Sequence, residues 1–459
     1  MAGGPGATGE GIGANAPKNK MAGILMTCFA AFGGILFGYD TGTISGIKVM
    51  PDWLRTFGQA PKNPQDPYFI TSSEESLIVS ILSAGTFFGA LLGAPVADIL
   101  GRKWGVVFAC LVFAIGVAMQ TAATEKALFV VGRVFAGLGV GLVSCLVPMY
   151  QSEWYEPMLS SLSISADSDS PSLWLSAPKW IRGSVVALYQ WAITIGILLA
   201  SIFNNATKNN PNHSAWRIPT SIQLIWGFVL AAGMACLPES PRYLIKKGKT
   251  DAAAVSMGRL LGLRPDDPVV HEEIRAIGAN LEAERALGES SYIDCFRPGT
   301  NKIAFRTWTG IALQAWQQLT GINFIIYYGT TFFERARVGN PFLITIAINV
   351  VNVGMTIPGI YGVEKFGRRT LLLWGAVGMC ICEFIVGIVG VTVSESNTAG
   401  QKVLVAFVCI YIGFFASTWG PIAWVVTGEI FPLQVRAKAM SLSTASNWLW
   451  NWALSFASM

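Results

Sequence analysis

Asp98-Ile99-Leu100-Gly101-Arg102-Lys103 recurs as Glu364-Lys365-Phe366-Gly367-Arg368-Arg369, each time just after the second long apolar run of its half of the chain. An acid followed by Gly and two cations in a tight loop can bridge helix ends by charge-assisted hydrogen bonds. Bridges of that kind hold one arrangement of packed elements and break in another. A single such loop is a weak signal. Its repetition at equivalent places predicts two similar halves, and between halves of this sort a ligand binds near the membrane midplane.

Working outward, the flanks of both loops are apolar at membrane length. The chain has 459 residues, of which 52% are apolar and 13% charged. About 20 apolar residues cross a bilayer, and runs of that length recur throughout, so the sequence predicts an all-α, multi-pass membrane protein. The 49 glycines and 16 tryptophans suit close helix packing and interfacial anchoring. The net charge of +5 belongs to loops and gives no reason to expect a nucleic-acid partner. Eight scattered cysteines and two loop histidines show no metal-ligand spacing, and no cofactor is implied.

Eleven spans are expected. The first, about 22–46, follows a Gly/Ala-rich tail (1–21) without the features of a cleaved leader, so the N-terminus is expected on the cytoplasmic side. It contains Asp40, an acid in an otherwise uncharged helix, and so a proton-relay or substrate candidate set against a purely structural ion pair. Span four carries Arg133 among closely spaced glycines, and pairing it with Asp40 would lower the cost of burying both. Span five, about 182–203, includes Gln190, and the loop after it holds the sequons Asn205-Ala206-Thr207 and Asn212-His213-Ser214. A charged stretch, 238–304, is expected to form a cytoplasmic helical linker between an N-terminal half (22–237) and a C-terminal half (305–459).

Span seven, about 306–334, contains Gln317-Gln318-Leu319-Thr320-Gly321-Ile322-Asn323. Three carboxamides in an apolar run are expensive unless they face protein or water. As neutral donor–acceptor groups they suit an uncharged, hydroxyl-rich ligand, and Thr320-Gly321 loosens the helix beside them. The alternative is that the amides only join helices.

Taken together, Gly38-Tyr39-Asp40-Thr41-Gly42, the two Gly-Arg loops, Pro238-Glu239-Ser240-Pro241-Arg242, Gln317 to Asn323 and Trp419-Gly420-Pro421-Ile422-Ala423-Trp424 resemble the sugar porter family of the major facilitator superfamily, fungal hexose transporters above all. The resemblance covers the chain after residue 20 and implies two six-helix halves. Gln190, Gln317, Gln318, Asn323, Asn352, Trp424 and Asn447 would then hold a monosaccharide, a hexose such as glucose. Asp40 matches the protonatable acid of proton-coupled members, with Arg133 as partner. Asp98, Arg102, Glu153, Arg182, Glu239, Arg242, Glu364, Arg368, Glu429 and Arg436 match a conformational charge network. Two departures stand out: Ala94 where the first loop motif has Gly, and Ala416 where some animal members have an acid.

Two features interrupt the pattern. Residues 154–176 are Ser-rich and acidic, and they place Glu153 and Arg182 29 apart, whereas Glu429 and Arg436 lie 7 apart. A retained intron would explain this. Trp154-Tyr155-Glu156 encodes a splice donor, an AGC codon for Ser176 would supply the acceptor, and splicing would restore a spacing of 7. The last expected helix, the twelfth, is missing from the counted spans, and the chain reads as truncated. The resemblance implies alternating access in the plasma membrane, as sugar:proton symport or as facilitation, with a non-transporting sugar sensor on the same fold as the rival class. No nucleophile–base arrangement suggests an enzyme.

Overall fold

The computed structural model describes residues 26, 28–60, 63, 68–164, 180–286, 291–298, 302–335, 339–393, 397–432 and 435–458. For 154–164 and 180–186 it describes the backbone alone. The expected N-terminal tail lies outside these residues, as does most of the expected insertion. The helix preceding that insertion continues through Trp154 to Ile164.

Among the described residues the chain is helical, with one isolated bridge, Gln59 to Phe69. The N-terminal half comprises α1 (Gly33–Ile47), a short α2 (Pro51–Phe57), α3 (Ser72–Leu100), α4 (Arg102–Ala122), α5 (Lys126–Ile164), α6 (Trp180–Thr207) and α7 (Ser214–Cys236). The linker contributes α8 (Pro241–Lys246), α9 (Thr250–Leu261), α10 (Pro268–Ala286) and a 3-10 turn (Ile293–Phe296). The C-terminal half comprises α11 (Ile303–Gln318), α12 (Ile322–Arg335), α13 (Pro341–Lys365), α14 (Arg368–Thr392), α15 (Thr398–Ser417), α16 (Trp419–Ile430) and α17 (Arg436–Ala457).

Local chemistry sets the ends of these helices. Thr71 caps α3 by accepting from the Glu74 amide while the Glu74 carboxylate accepts from the Thr71 amide, so two orphan donors are satisfied at once. The repeated loop turns the same way twice. Gly101 (φ 89°) and Gly367 (φ 79°) precede α4 and α14 in a conformation that L side chains avoid. At Gly38 an added Cβ would collide with the Ile193 carbonyl, so α1 and α6 meet backbone to backbone.

Among the described residues, eight helical segments are individually long and apolar enough to cross a membrane: Ser72–Leu100, Arg102–Ala122, Lys126–Glu153, Ala187–Thr207, Ser214–Cys236, Pro341–Lys365, Arg368–Thr392 and Ala399–Ile430. The expected spans one, seven and eleven are not among these segments. Span one has only the 15-residue α1 as a described helix, span seven is split into α11 and α12 at Leu319-Thr320-Gly321, and α17 is rich in Ser, Thr and Asn. The break in span seven and the polar residues of α17 belong to the candidate site, since they position the carboxamides and Asn447. The tenth span also breaks, at Thr418 between α15 and α16.

The halves join along several seams. Ser441 on α17 donates to the Ala90 carbonyl on α3 (2.6 Å), and Asn349 on α13 donates to Ser201 on α6 (2.7 Å). On the face away from the linker, Ser45 and Thr330 hydroxyls meet at 3.1 Å. The linker packs chiefly on the N-terminal half: Met257, Leu260, Leu261 and Val270 join its core, and Ser256 donates to the Glu239 carbonyl. The sequons separate. Asn205 lies inside α6 with its amide oxygen accepting from Lys208 (2.9 Å), because α6 runs on past the expected end of span five. Asn212 is exposed beyond the helix.

Candidate functional site

Gln314, Gln317 and Gln318 lie three or four residues apart and share one face of α11. The helix then opens at Gly321 (φ 85°), and Asn323 restarts it in the first turn of α12. The break brings Asn323 back over Gln318, to whose Oε1 its Nδ2 donates at 2.5 Å. From α17, Asn447 donates to the Oε1 atoms of Gln314 (2.7 Å) and Gln317 (2.8 Å). One turn on, Asn451 donates to Asn323 (3.1 Å) and Gln318 (3.3 Å). Gln317 Nε2 donates to the Trp419 and Gly420 carbonyls and so braces the second break, at Thr418.

Gln317, Gln318, Asn323, Asn447 and Asn451 wall a cavity of about 60 Å³ between the halves, to which Phe37, Thr41, Gln190, Asn352 and Trp424 also contribute. Ligand pockets commonly reach several hundred Å³, so the cavity is contracted here. Apolar contacts between the halves flank it on two sides. Ile44 and Ile47 of α1 share one cluster with Tyr327 and Tyr328 of α12. Ala187 of α6 shares another with Val363, Ile422 and Trp424. All seven residues expected to hold a sugar line this one cavity. Asn352 Oδ1 is buried there without a hydrogen-bond partner among the described residues, an acceptor whose desolvation is uncompensated until a donor arrives.

Asn451, Gln314, Tyr327 and Ser83 were not expected. Ser83 (2.6 Å) and Tyr327 (3.2 Å) both donate to Asn451 Oδ1, which joins the amide cluster to α3 of the other half. The available signal was Asn451 standing four residues after Asn447, on the same helix face.

Asp40 and Arg133 are brought together but loosely. Their closest charged atoms lie 3.8 Å apart, and the Gln223 side chain also stands against the Asp40 carboxylate. Arg133 Nε instead donates to the Ile78 carbonyl. The next residue along α1, Thr41, faces the cavity.

The charge network resolves into two clusters, one per half. In the first, Arg102 donates twice to Glu153 (2.6 and 2.9 Å), and Ser240 donates to the other Glu153 oxygen (2.6 Å). Glu239 Oε1 accepts the backbone N–H groups of Arg102, Lys103 and Ser240. Burial raises the Glu239 carboxyl above the usual range, against the pull of those donors. Asp98 turns outward to Lys246 (2.9 Å). In the second cluster, Arg368 bridges Glu364 (3.0 Å) and Glu429 (2.9 Å). Arg436 is buried and donates to the Phe431 carbonyl, and Arg242 is half-buried on α8. The Arg182 side chain lies outside the described residues.

The sugar (and other) transporter family model matches residues 26–167 and 172–459, broken only within the expected insertion. Major facilitator-type transporter ecdD of Aspergillus rugulosus is 50% identical over 94% of this chain and 77% of its own length. A probable glucose transporter of Neurospora crassa, rco-3, is 45% identical over 96% of this chain and 71% of its own. High glucose sensor RGT2 of Saccharomyces cerevisiae is 40% identical over 95% of this chain and 54% of its own. Among solved structures, the proton:xylose symporter XylE bound to 6-bromo-6-deoxy-D-glucose superposes with a TM-score of 0.75 at 26% identity, covering 97% of this chain and 89% of that one. The relatives and structural neighbours are transporters, with one sensor among them, and not enzymes.

Proposed function

Because this chain belongs to the sugar transporter family of the major facilitator superfamily, we propose that it carries a hexose, glucose foremost, across the plasma membrane by alternating access. The observation that carries the reading is the orphaned Asn352 oxygen in a cavity otherwise walled by carboxamides and Trp424. Hydroxyl groups can donate to Asn352 and exchange partners with Gln317, Gln318, Asn323 and Asn447. Each exchange replaces one neutral hydrogen bond by another, at small net free energy. A carboxylate or ammonium ligand would find no opposite charge in this lining. Gln190 approaches from α6, so a bound sugar touches both halves and couples its occupancy to their packing.

The linker face is proposed to be cytoplasmic, with the N-terminus on the same side. Its two charge clusters would act as latches, each tying helix ends within one half, and Glu239 would tie the linker to the Gly101 turn. The proposed coupling ion is a proton on Asp40. Neutralising that carboxylate would release Arg133, which already leans on the Ile78 carbonyl, and would change the favoured helix packing.

The test is counterflow of labelled glucose in vesicles containing the purified chain, alongside equilibrium binding. Saturable binding with counterflow supports the carrier. Binding without counterflow favours a sensor, the reading suggested by the similarity to the yeast glucose sensor. Absence of glucose binding, with mannitol, amino acids and nucleosides as comparators, would overturn both.

A further inference from the structure

We propose that the cleft between α12, α14 and α15 is a second ligand site, open to the bilayer, that takes a lipophilic amine with its ammonium on Glu383. Glu383 is the only acid on α14, and it stands 15 residues beyond Arg368. At 1.5 Å per residue that is about 22 Å along the helix, within a hydrocarbon core of about 30 Å. The outward face around it is apolar, with Trp374, Ile381, Phe384 and Ile388 exposed to where lipid would lie. An ionisable group at that depth is costly and calls for a partner. Among the described residues, no hydrogen bond or ion pair reaches its carboxylate.

The cleft holds about 290 Å³, and apart from Glu383 its lining is apolar and aromatic. Phe324 and Phe333 supply ring surface that favours a cation as well as a hydrocarbon body. Tyr411 does not serve the carboxylate, because its hydroxyl donates to the Thr320 carbonyl at 2.6 Å. An acceptor-only carboxylate in an apolar cleft selects a molecule with a charged donor at one end and an apolar remainder. An anionic headgroup would be repelled, and a neutral alcohol would leave the charge unmatched.

The cleft lies behind the helix break, on the side away from the sugar cavity. A Cβ added at Gly321 would stand 2.8 Å from Glu383 Oε1, so the carboxylate rests directly against the break. Gln318 and Asn323, on either side of that break, point into the sugar cavity. A ligand wedged against Gly321 and Phe324 would therefore brace α12, slowing exchange without displacing sugar. This site is independent of which ligand the central cavity carries.

The experiment is equilibrium dialysis of labelled n-octylamine against the purified full chain in detergent, with n-octanol and glucose as competitors. One saturable site is expected, which neither competitor displaces. Glu383→Gln should weaken it at least tenfold. At Gly387, a lining residue of α14, an added Cβ meets nothing within 4 Å, so Gly387→Phe should fold normally and fill the cleft, abolishing binding. Unchanged binding in Gly387→Phe overturns the assignment, even if Glu383→Gln fails to fold. Competitive displacement by glucose would move the amine to the central cavity, and displacement by octanol at matched concentration would remove the role of the charge. Either result sinks the proposal. Because no step requires transport, its failure is distinct from failure of the hexose reading.

Discussion

Within the N-terminal half, Lys48–Glu75, Arg102–Glu153 and Asp40–Arg133 are ion pairs with side chains no more than 6% exposed. Within the C-terminal half the polar groups packed together at the cavity are carboxamides, Arg436 is buried against a backbone carbonyl, and the charges of Arg368 and Glu429 remain 28% and 27% exposed. The difference is one of energetics before it is one of function. A buried ion pair commits both partners, since removing either leaves an uncompensated charge. A buried amide cluster can trade one neutral partner for another at about 1 kcal/mol or less. Ligand exchange suits the second kind of interior and a two-position switch suits the first.

The strongest way to break this comparison is to cut one latch in each half. Arg102→Met should destabilise the purified protein by about 3–5 kcal/mol, because Glu153 stays buried without its cation. Arg368→Met should cost about 1 kcal/mol or less, since water reaches its partners, while slowing turnover with little change in sugar affinity. Denaturant unfolding in detergent with parallel transport rates checks both. Equal losses would mean that burial does not separate the two clusters.

The next test falls on the loose pair. Asp40→Asn should reduce sugar accumulation in energised vesicles to simple equilibration while leaving exchange intact, because the asparagine cannot carry the proton that moves Arg133. A wild-type protein that never exceeds equilibration, with or without a protonophore, would mark Asp40 as structural and the protein as a facilitator.

What could be read from sequence follows the same divide. Carboxamides in apolar runs are conspicuous, so Gln317, Gln318 and Asn323 were legible one by one, and Asn352 through the family resemblance. Asn451 was not, because Trp448, Trp450 and Trp452 around it resemble interfacial anchoring, and only the fold turns it onto Gln318 and Asn323. The repeated glycine loops were legible because a positive φ leaves a compositional mark. Lys48 lies just past the expected end of span one, and Glu75 sits at the start of α3. Lys48 is buried beneath the Tyr328 ring of α12, which no local pattern records. The Thr418 break was equally silent, since a threonine in an apolar run signals nothing until Gln317 is seen holding the neighbouring carbonyls.

A smaller effect tests the exchangeable side. Gln318→Ala removes the acceptor shared by Asn323 and Asn451 as well as a cavity-lining amide. Sugar binding should weaken by about 1–3 kcal/mol, or about five- to 150-fold, with unfolding nearly unchanged because the remaining amides can pair again. Unaltered affinity in a folded variant would take the sugar away from this cavity.

The smallest effect concerns a place where a charged group of the first half leans on an uncharged group of the second. Lys48 Nζ lies 3.9 Å from the centre of the Tyr328 ring while still paired with Glu75 at 2.6 Å. The Tyr328 hydroxyl is occupied within its own half, donating to the Ser455 carbonyl. The ring therefore serves the contact between halves, and the hydroxyl's bond runs to the second half, with Ser76 of the first half beside it. Tyr328→Phe keeps the ring and should leave the balance between open and closed far-side states unchanged. Tyr328→Leu removes the ring and should shift that balance toward opening by about 0.5–1 kcal/mol, or about two- to fivefold, with Lys48 still neutralised by Glu75. Spin-label distances between the far-side ends of α1 and α12 report the two populations. A shift in Tyr328→Phe as large as that in Tyr328→Leu would place the closure in the Ser455 bond and leave the contact between lysine and ring without a role.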